Sequence, residues 1–442
     1  MMAPWNIGIF GSYNAVSQGD LALLEGILHQ WQRAQVAVRF TVFAFDPAFV
    51  RDSLRASSWS ETTVVPAHPL APRPPRADAA QPATKASSEP PRRLPAWVYD
   101  GVLLTRYSAF WRQQRKRLQT LDILLIGGGG LLVDLYPRWP IYPLVYAGLA
   151  RSVGVPVMFY GVGAGPINTA RGRRYLTWAL RLSQGVTVRD APSLQVVRAL
   201  GRVPPVSLAA DPALALPPVG PGAAPRALCP TSPCVGINAL PLFRPGHWPI
   251  ADAVRYRRYV RRMAVLIADL LEQHEMATIV LLSTNCPKDW VALREIRRQL
   301  PARLASRVTL LADCRLETLR AQMASLDLVV GTRLHTALLA AVEGTPIVGL
   351  AYQPKVAAFF EALGLAEALF PVEPLLVPSD EPFAAMRLLW RQRIAEYLSA
   401  PGALRTLLAA RVAALRERAQ RSVVEALTIL RRSRPSPRTL PE

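Results

Sequence analysis

The sequence predicts an α/β protein built from two Rossmann-like domains facing a cleft, and three observations carry that prediction. Short apolar runs ending in glycine or charge recur along the chain, helical segments separate them, and one proline-rich connector divides the series in two. Strands and helices alternating in this way form parallel sheets covered on both faces. With 442 residues, 51% of them hydrophobic, the chain can fill two cores.

The first domain is expected over residues 1–215. NIGIF (6–10) reads as a buried strand, GSYNAVSQGD as the loop after it, residues 21–31 as a helix and residues 38–45 as a second strand. Between about 66 and 95 the composition shifts to Pro, Ala, Arg and Ser, too little apolar surface to offset ordering, so an extended or disordered insertion is expected there. The pattern then repeats: LDILLI before Gly127 to Gly130, PVMFY before Gly161 to Gly165, GVTV before Arg189, and VSLAA before Asp211, with helices near 143–153, 171–183 and 193–200 between them. Open α/β sheets bind ligands beyond the carboxyl ends of their strands. Asp20, Gly128, Gly129, Gly163, Arg189 and Asp211 therefore fall on one rim.

Residues 216–233 form the connector. A second domain over 234–380 carries strands VGINA, TIVLLS, VTLLA, DLVVG and PIVGL, with helices near 252–274, 289–300 and 316–326. The remainder, 381–442, is helical and arginine-rich, and is expected to pack back across the first domain.

One corner of the second domain concentrates the chemistry. In DLVVGTRLHTALLAAVEGTPIVGLAY (327–352), Gly331 closes a strand, so Thr332, Arg333, Leu334 and His335 lie on the turn feeding a helix. Unpaired backbone N–H groups and the macrodipole favour an anion at such a turn. Arg333 adds a fork-shaped donor suited to carboxylate or phosphate, and His335 can gain or lose a proton near neutral pH. Taken alone, the pair fits a solvated arginine and a helix-capping histidine equally well.

Composition narrows the partners. Fifty-two basic against thirty-one acidic residues give a net charge of +21, which favours phosphorylated substrates, anionic lipid or nucleic acid. Lys85, Lys116, Lys288 and Lys355 are the only lysines, so a composition bias toward arginine explains the charge as well as function does. No aromatic-interleaved basic strand or zinc spacing supports nucleic acid. Four cysteines without a C-x-x-C pair, and a start lacking a basic region before a long apolar run, point to reduced thiols and a cytoplasmic protein. No uninterrupted apolar run reaches about 18 residues, so any membrane contact would be peripheral, at the inner face.

In order, GSYNAVSQGDLALLEGI (11–27), DILLIGGGGLLVD (122–134), GVGAGPI (161–167), VRDAPSLQVVRALG (188–201), DPAL (211–214) and GTRLHTALLAAVEGTPIVGLAYQPKV (331–356) resemble the polysaccharide pyruvyl transferase family. The resemblance implies a fold similar to the GT-B glycosyltransferase architecture. It also implies transfer of the enolpyruvyl group of phosphoenolpyruvate onto a sugar of a cell-surface or exopolysaccharide, lipid-linked in one version, as a pyruvate ketal. Phosphoenolpyruvate would be the donor substrate, with no cofactor and no metal. Arg333, Leu334 and His335 match the family's donor site, and Arg189 its further donor arginine; His335 is the candidate general acid. Lys355 is a candidate phosphate contact or a surface lysine. Asp20 is a candidate base or acceptor ligand, or an ordinary N-cap. The family's asparagine before this Gly-Asp is replaced here by Ser17 and Gln18. Gly128, Gly129, Asp134 and Gly163 are candidate acceptor or cleft residues.

Two rivals stand beside this reading. A nucleotide-sugar glycosyltransferase would share the fold and would need a carboxylate for the donor ribose, for which Glu343 is the only nearby candidate. A polyanion-binding or membrane-scaffold protein would rest on the charge alone, the basic C-terminal helix lying on an anionic leaflet.

Overall fold

The computed structural model describes residues 3–69, 101, 104–136, 138–220, 228, 231–248 and 250–433. The chain divides into two compact units, 1–15 with 27–212 and 419–442, and 16–26 with 213–418.

Strands β1 (Trp5–Phe10), β2 (Val38–Ala44), β3 (Thr63–Pro66), β4 (Ile123–Leu132), β5 (Val157–Ala164), β6 (Gly185–Val188) and β7 (Val206–Leu208) belong to the first unit. Helices α1 (Gln18–Arg33), α2 (Pro47–Ala56), α3 (Ser108–Leu118), α4 (Ile141–Ser152), α5 (Ala170–Arg181) and α6 (Ala191–Arg198) accompany them in sequence. The strands pair in parallel in the order β3-β2-β1-β4-β5-β6-β7, Ile7 opposite both Phe40 and Ile123. Helices on both faces leave no face for polar side chains, so the central strands are near-continuously apolar. Phe10 stacks on Tyr146 of α4 at 4.1 Å between ring centres, within one core that runs from β1 to α6.

The second unit holds β8 (Cys234–Asn238), β9 (Thr278–Leu281), β10 (Val308–Leu310), β11 (Leu328–Gly331), β12 (Ile347–Ala351) and β13 (Leu369–Pro371), with helices α7 (Ala253–Gln273), α8 (Lys288–Arg298), α9 (Leu316–Ala324), α10 (Leu334–Val342), α11 (Pro354–Leu363) and α12 (Glu381–Ser399). Its parallel order, β10-β9-β8-β11-β12-β13, repeats that of the first sheet. In each, the strand order reverses once, at β1/β4 and at β8/β11, where a doubly wound sheet opens its ligand crevice.

The last helix, α13 (Pro401–Ser433), changes unit at Ala419. Leu408, Val412, Leu415, Ala419, Val423, Ala426 and Leu430 are buried along it, a three-and-four spacing that makes one apolar stripe. In its first half Arg416 caps the carbonyls of Leu214 and Leu216; in its second, Ser422 Oγ lies 2.8 Å from Thr187 Oγ1 on β6.

Four expectations change. The glycine runs do not follow their strands: β4 continues through Gly127 and Gly129, paired with Tyr160 and Val162 of β5, before its register shifts. Glycine reads as a strand breaker because it pays more entropy on ordering, but at Gly127 the Tyr160 backbone comes too close for a side chain. β3 and β13 are short edge strands whose sequences carry little alternation. Of the expected insertion, Pro66 closes β3 and residues 70–95 lie outside the described residues, as does much of the connector. The cysteines are not all thiols: Cys286 and Cys314, 28 residues apart, form a disulfide. Local spacing could not signal it, because the fold brings together the loops after β9 and β10. A disulfide also runs against a reducing compartment as the setting for this pair.

Candidate functional site

Arg333 stands at the switch point of the second sheet, two residues past β11 and beside the end of β8. Asn238, the last residue of β8, builds the corner: its Oδ1 accepts from the Arg333 N–H (3.2 Å) and from Thr332 Oγ1 (3.1 Å). Its Nδ2 donates to the Leu282 carbonyl and to Asp289 Oδ2. Arg333 has extended backbone and is the residue before the first turn of α10, so the helix N–H groups open at the same point.

The Arg333 side chain is held from behind. Asp289, in the first turn of α8 and wholly buried, takes Nε at 2.7 Å and Nη2 at 2.5 Å in a two-pronged pair. Asn238 and Ser283 donate to the same carboxylate. This fixes the guanidinium plane while 20% of the Arg333 side chain stays exposed. Leu334, next in the chain, is buried and anchors the helix start in the core.

His335 is the second residue of α10 and packs against the start of α1. A Cβ placed on Gly19 would lie 2.3 Å from His335 Nδ1, so only glycine allows this approach. The α1 start belongs with the second unit because it is tied there: the Gln18 N–H donates to the Thr284 carbonyl at 3.0 Å, and Ser17 forms an antiparallel bridge with Asn285. Thr284 Oγ1 also lies 3.2 Å from Thr336 Oγ1 on α10. Asp20 is the third residue of α1, and its N–H donates to Ser17 Oγ, so Ser17 caps the helix. Arg333, His335, Gly19 and Asp20 thus come together in one unit, although more than 300 residues separate the two halves of the cluster. Lys355 lies in the first turn of the neighbouring helix α11, after β12. Trp248 and Tyr352 meet edge to face at 5.8 Å.

The first-unit candidates are built differently. Arg189 follows β6 and is 6% exposed; its Nη1 donates to Asp211 at 2.9 Å, and Nε lies 3.4 Å from Asp190. Gly163 makes room for it, since a Cβ there would sit 2.9 Å from the guanidinium. Asp134 is an anchor: its carboxylate accepts from the N–H groups of Asn168 and Thr169 and from Thr169 Oγ1. The carboxylate thereby satisfies loop N–H groups that find no backbone partner. Gly128 and Gly129 lie inside β4 with φ of 75° and 98°, values that exclude ordinary side chains.

Asp289, Asn238 and Gly19 are the residues the sequence did not single out. Asp289 resembles any acidic residue in a helix's first turn, and only the β9-β8-β11 pairing brings its loop beside Arg333. Glu343 reverses its expected role. Its side chain is fully buried, paired with Arg320 at 2.7 Å, and accepts from the Val219 N–H at 2.8 Å. It fastens the connector to α9 and is not a rim carboxylate.

A sequence model of the polysaccharide pyruvyl transferase family matches residues 19–354, which spans both Gly19 and the Arg333 corner. The chain belongs to that family. Family membership implies a carbohydrate acceptor. None of the curated proteins compared with the chain matches it. Among solved structures it is similar to Anabaena Alr3699/HepE in complex with UDP and glucose, at 12% identity and a TM-score of 0.56, covering 96% of this chain and 99% of that one. It is similar also to sucrose-phosphate synthase from Thermosynechococcus elongatus, at 13% identity and a TM-score of 0.56, covering 97% and 100%. The Glycyrrhiza uralensis enzyme UGT73P12 follows at 12% identity and 0.54, covering 98% and 96%. At these identities the likeness establishes the fold, which is GT-B. Among the described residues of this pyruvyl transferase family member, no helix is long and apolar enough to cross a membrane.

Proposed function

We propose that the chain transfers the enolpyruvyl group of phosphoenolpyruvate to a polysaccharide sugar, or to its lipid-linked precursor, and closes it as a ketal. The observation that carries the reading is Arg333 held by Asp289 at the mouth of α10, with His335 two residues on. A doubly anionic donor needs fixed positive charge and free N–H groups together, and this corner supplies both. Arg333 binds the donor's carboxylate or phosphate, and Lys355 on the next helix start is a second cation for it. Arg189 enters as a donor ligand by family resemblance; its two carboxylate partners make it the weaker candidate.

In the proposed reaction His335, as imidazolium, protonates the methylene carbon of the donor. The neighbouring carbon becomes electrophilic, and a sugar hydroxyl adds to it and loses its proton, with Asp20 as the candidate acceptor of that proton. The carbon–oxygen bond to phosphate breaks and phosphate leaves. A second hydroxyl of the sugar adds to the same carbon, loses its proton and closes the ketal. No cofactor or metal is needed for this sequence.

The glycosyltransferase alternative loses its support at Glu343, whose carboxylate is enclosed by Arg320 and the Val219 N–H. Incubation with phosphoenolpyruvate and a panel of lipid-linked and nitrophenyl sugars, read by phosphate release and by mass gain of the acceptor, tests the reading. Transfer from a nucleotide sugar, without consumption of phosphoenolpyruvate, would overturn it.

A further inference from the structure

A groove on the second unit, away from the Arg333 corner in sequence, has no role in the proposed reaction. It is an open cavity of about 480 Å³ between α7 and α8, whose lining includes Val254, Arg257, Arg258 and Arg261 of α7 and Glu295 and Arg298 of α8. Val254 and the three arginines of α7 fall at i, i+3, i+4 and i+7, one face of the helix. The opposite face, with Tyr256, Tyr259, Met263 and Ile267, is buried in the core. This side is therefore presented outward by the amphipathic pattern of α7 itself.

The charge in the groove is unbalanced. Several arginines elsewhere in the unit pair with a carboxylate: Arg262 with Asp380, Arg303 with Glu272, Arg315 with Asp313, Arg320 with Glu343, Arg387 with Asp269. Arg257, Arg261 and Arg298 are exposed and none makes a salt bridge among the described residues; Asp380, whose carboxyl Arg262 and more weakly Arg261 and Arg258 hold below the usual range, is already paired with Arg262. Glu295, the acidic group in the lining, lies 3.3 Å from Arg244. Clustered like charges of this kind focus a positive potential that calls for an anionic counterpart.

Exposed aliphatic side chains stand at the start of α7. Ile250 is 72% exposed and Val254 is 54% exposed, at the entrance to α7 and directly before the arginines. A soluble anion gains nothing from two bare aliphatic side chains. A phospholipid leaflet does, because its headgroups take the guanidinium groups while its acyl boundary takes Ile250 and Val254.

We propose that the α7–α8 face is a peripheral docking surface for an anionic phospholipid bilayer. The C-terminal helix is the weaker site of membrane contact, since α13 buries its main apolar stripe and its exposed Leu407 and Val424 stand far apart along it. Binding is reversible, strengthens with the anionic lipid fraction and weakens with salt.

Vesicle flotation with the full chain tests this, using phosphatidylglycerol in phosphatidylcholine against phosphatidylcholine alone. The chain is expected to float with the anionic vesicles only. Arg257→Glu/Arg261→Glu/Arg298→Glu should lower the partition coefficient at least tenfold, and Ile250→Ser severalfold, with circular dichroism unchanged. Arg421→Glu/Arg431→Glu/Arg432→Glu, which makes the same charge change on exposed positions of α13, should have a much smaller effect. An equal loss in both triple variants, binding to phosphatidylcholine alone, or full displacement by micromolar inorganic pyrophosphate would each overturn the proposal, the last in favour of a soluble phosphate site.

Discussion

Arg333 and Arg189 occupy equivalent places: each follows a short buried strand of a doubly wound sheet and precedes a helix. What separates them is the number of carboxylates behind them. Arg189 lies between Asp211 and Asp190 with 4% of its side chain exposed; Arg333 meets one buried carboxylate, Asp289, along one edge and stays 20% exposed. An arginine between two carboxylates is compensated from within and serves as an internal tie. One held along a single edge is oriented but still presents its charge outward. Residue type and topological position therefore do not fix what an arginine can offer a ligand; the local charge balance separates the two.

The comparison can be broken most sharply at Arg189. Arg189→Ala should destabilise the first unit by about 3–5 kcal/mol, because Asp211 is left buried without its cation. Urea unfolding checks this, and unchanged stability with lost donor affinity would make the two arginines alike. His335→Ala should lower kcat about 10²- to 10⁴-fold while the donor dissociation constant moves little; rapid-quench and equilibrium binding separate the two. Arg333→Ala, combined with Asp289→Asn so that no bare carboxylate stays buried, should weaken donor binding about 100-fold, near 3 kcal/mol. Calorimetry with phosphoenolpyruvate reads it directly.

Two smaller effects sharpen the surroundings of the second corner. Gly19→Ala should push the His335 ring aside and lower kcat about tenfold, about 1.4 kcal/mol, with donor affinity retained. Glu25, further along α1, has a carboxyl that burial pushes up to about 7 against the opposing pull of Arg320. Its folded value lies above its unfolded one, so between about 4.5 and 7 the folded chain holds a proton that the unfolded chain has lost. Stability therefore falls as pH rises through that window and is flat above it. Glu25→Gln should remove this slope and stabilise the chain at pH 8 by roughly 1–2 kcal/mol after solvent screening, which thermal melts across pH will show.

Much of this was legible in the chain. Runs such as LDILLI and DLVVG mark buried parallel strands because only apolar side chains fit a sheet covered on both faces. The turn TRLH marks itself by placing charge where a strand must end and a helix begin. Other parts were not legible. Asp134 and Glu343 are ordinary acids in sequence, and their structural roles follow from which N–H groups and arginines the loops bring to them. Gly127 to Gly130 read as a loop, since nothing local tells that Tyr160 will pair alongside.

By itself the sequence determined the alternation of strands and helices, the two-part division and the candidate anion corner, because these depend on hydrophobic period and local turn chemistry. The tertiary structure alone decided that Asp289 backs Arg333, that Gly19 abuts His335, and that Arg189 is enclosed. Those are contacts between segments distant along the chain, and charge compensation and close approach exist only once the sheets set their strands side by side.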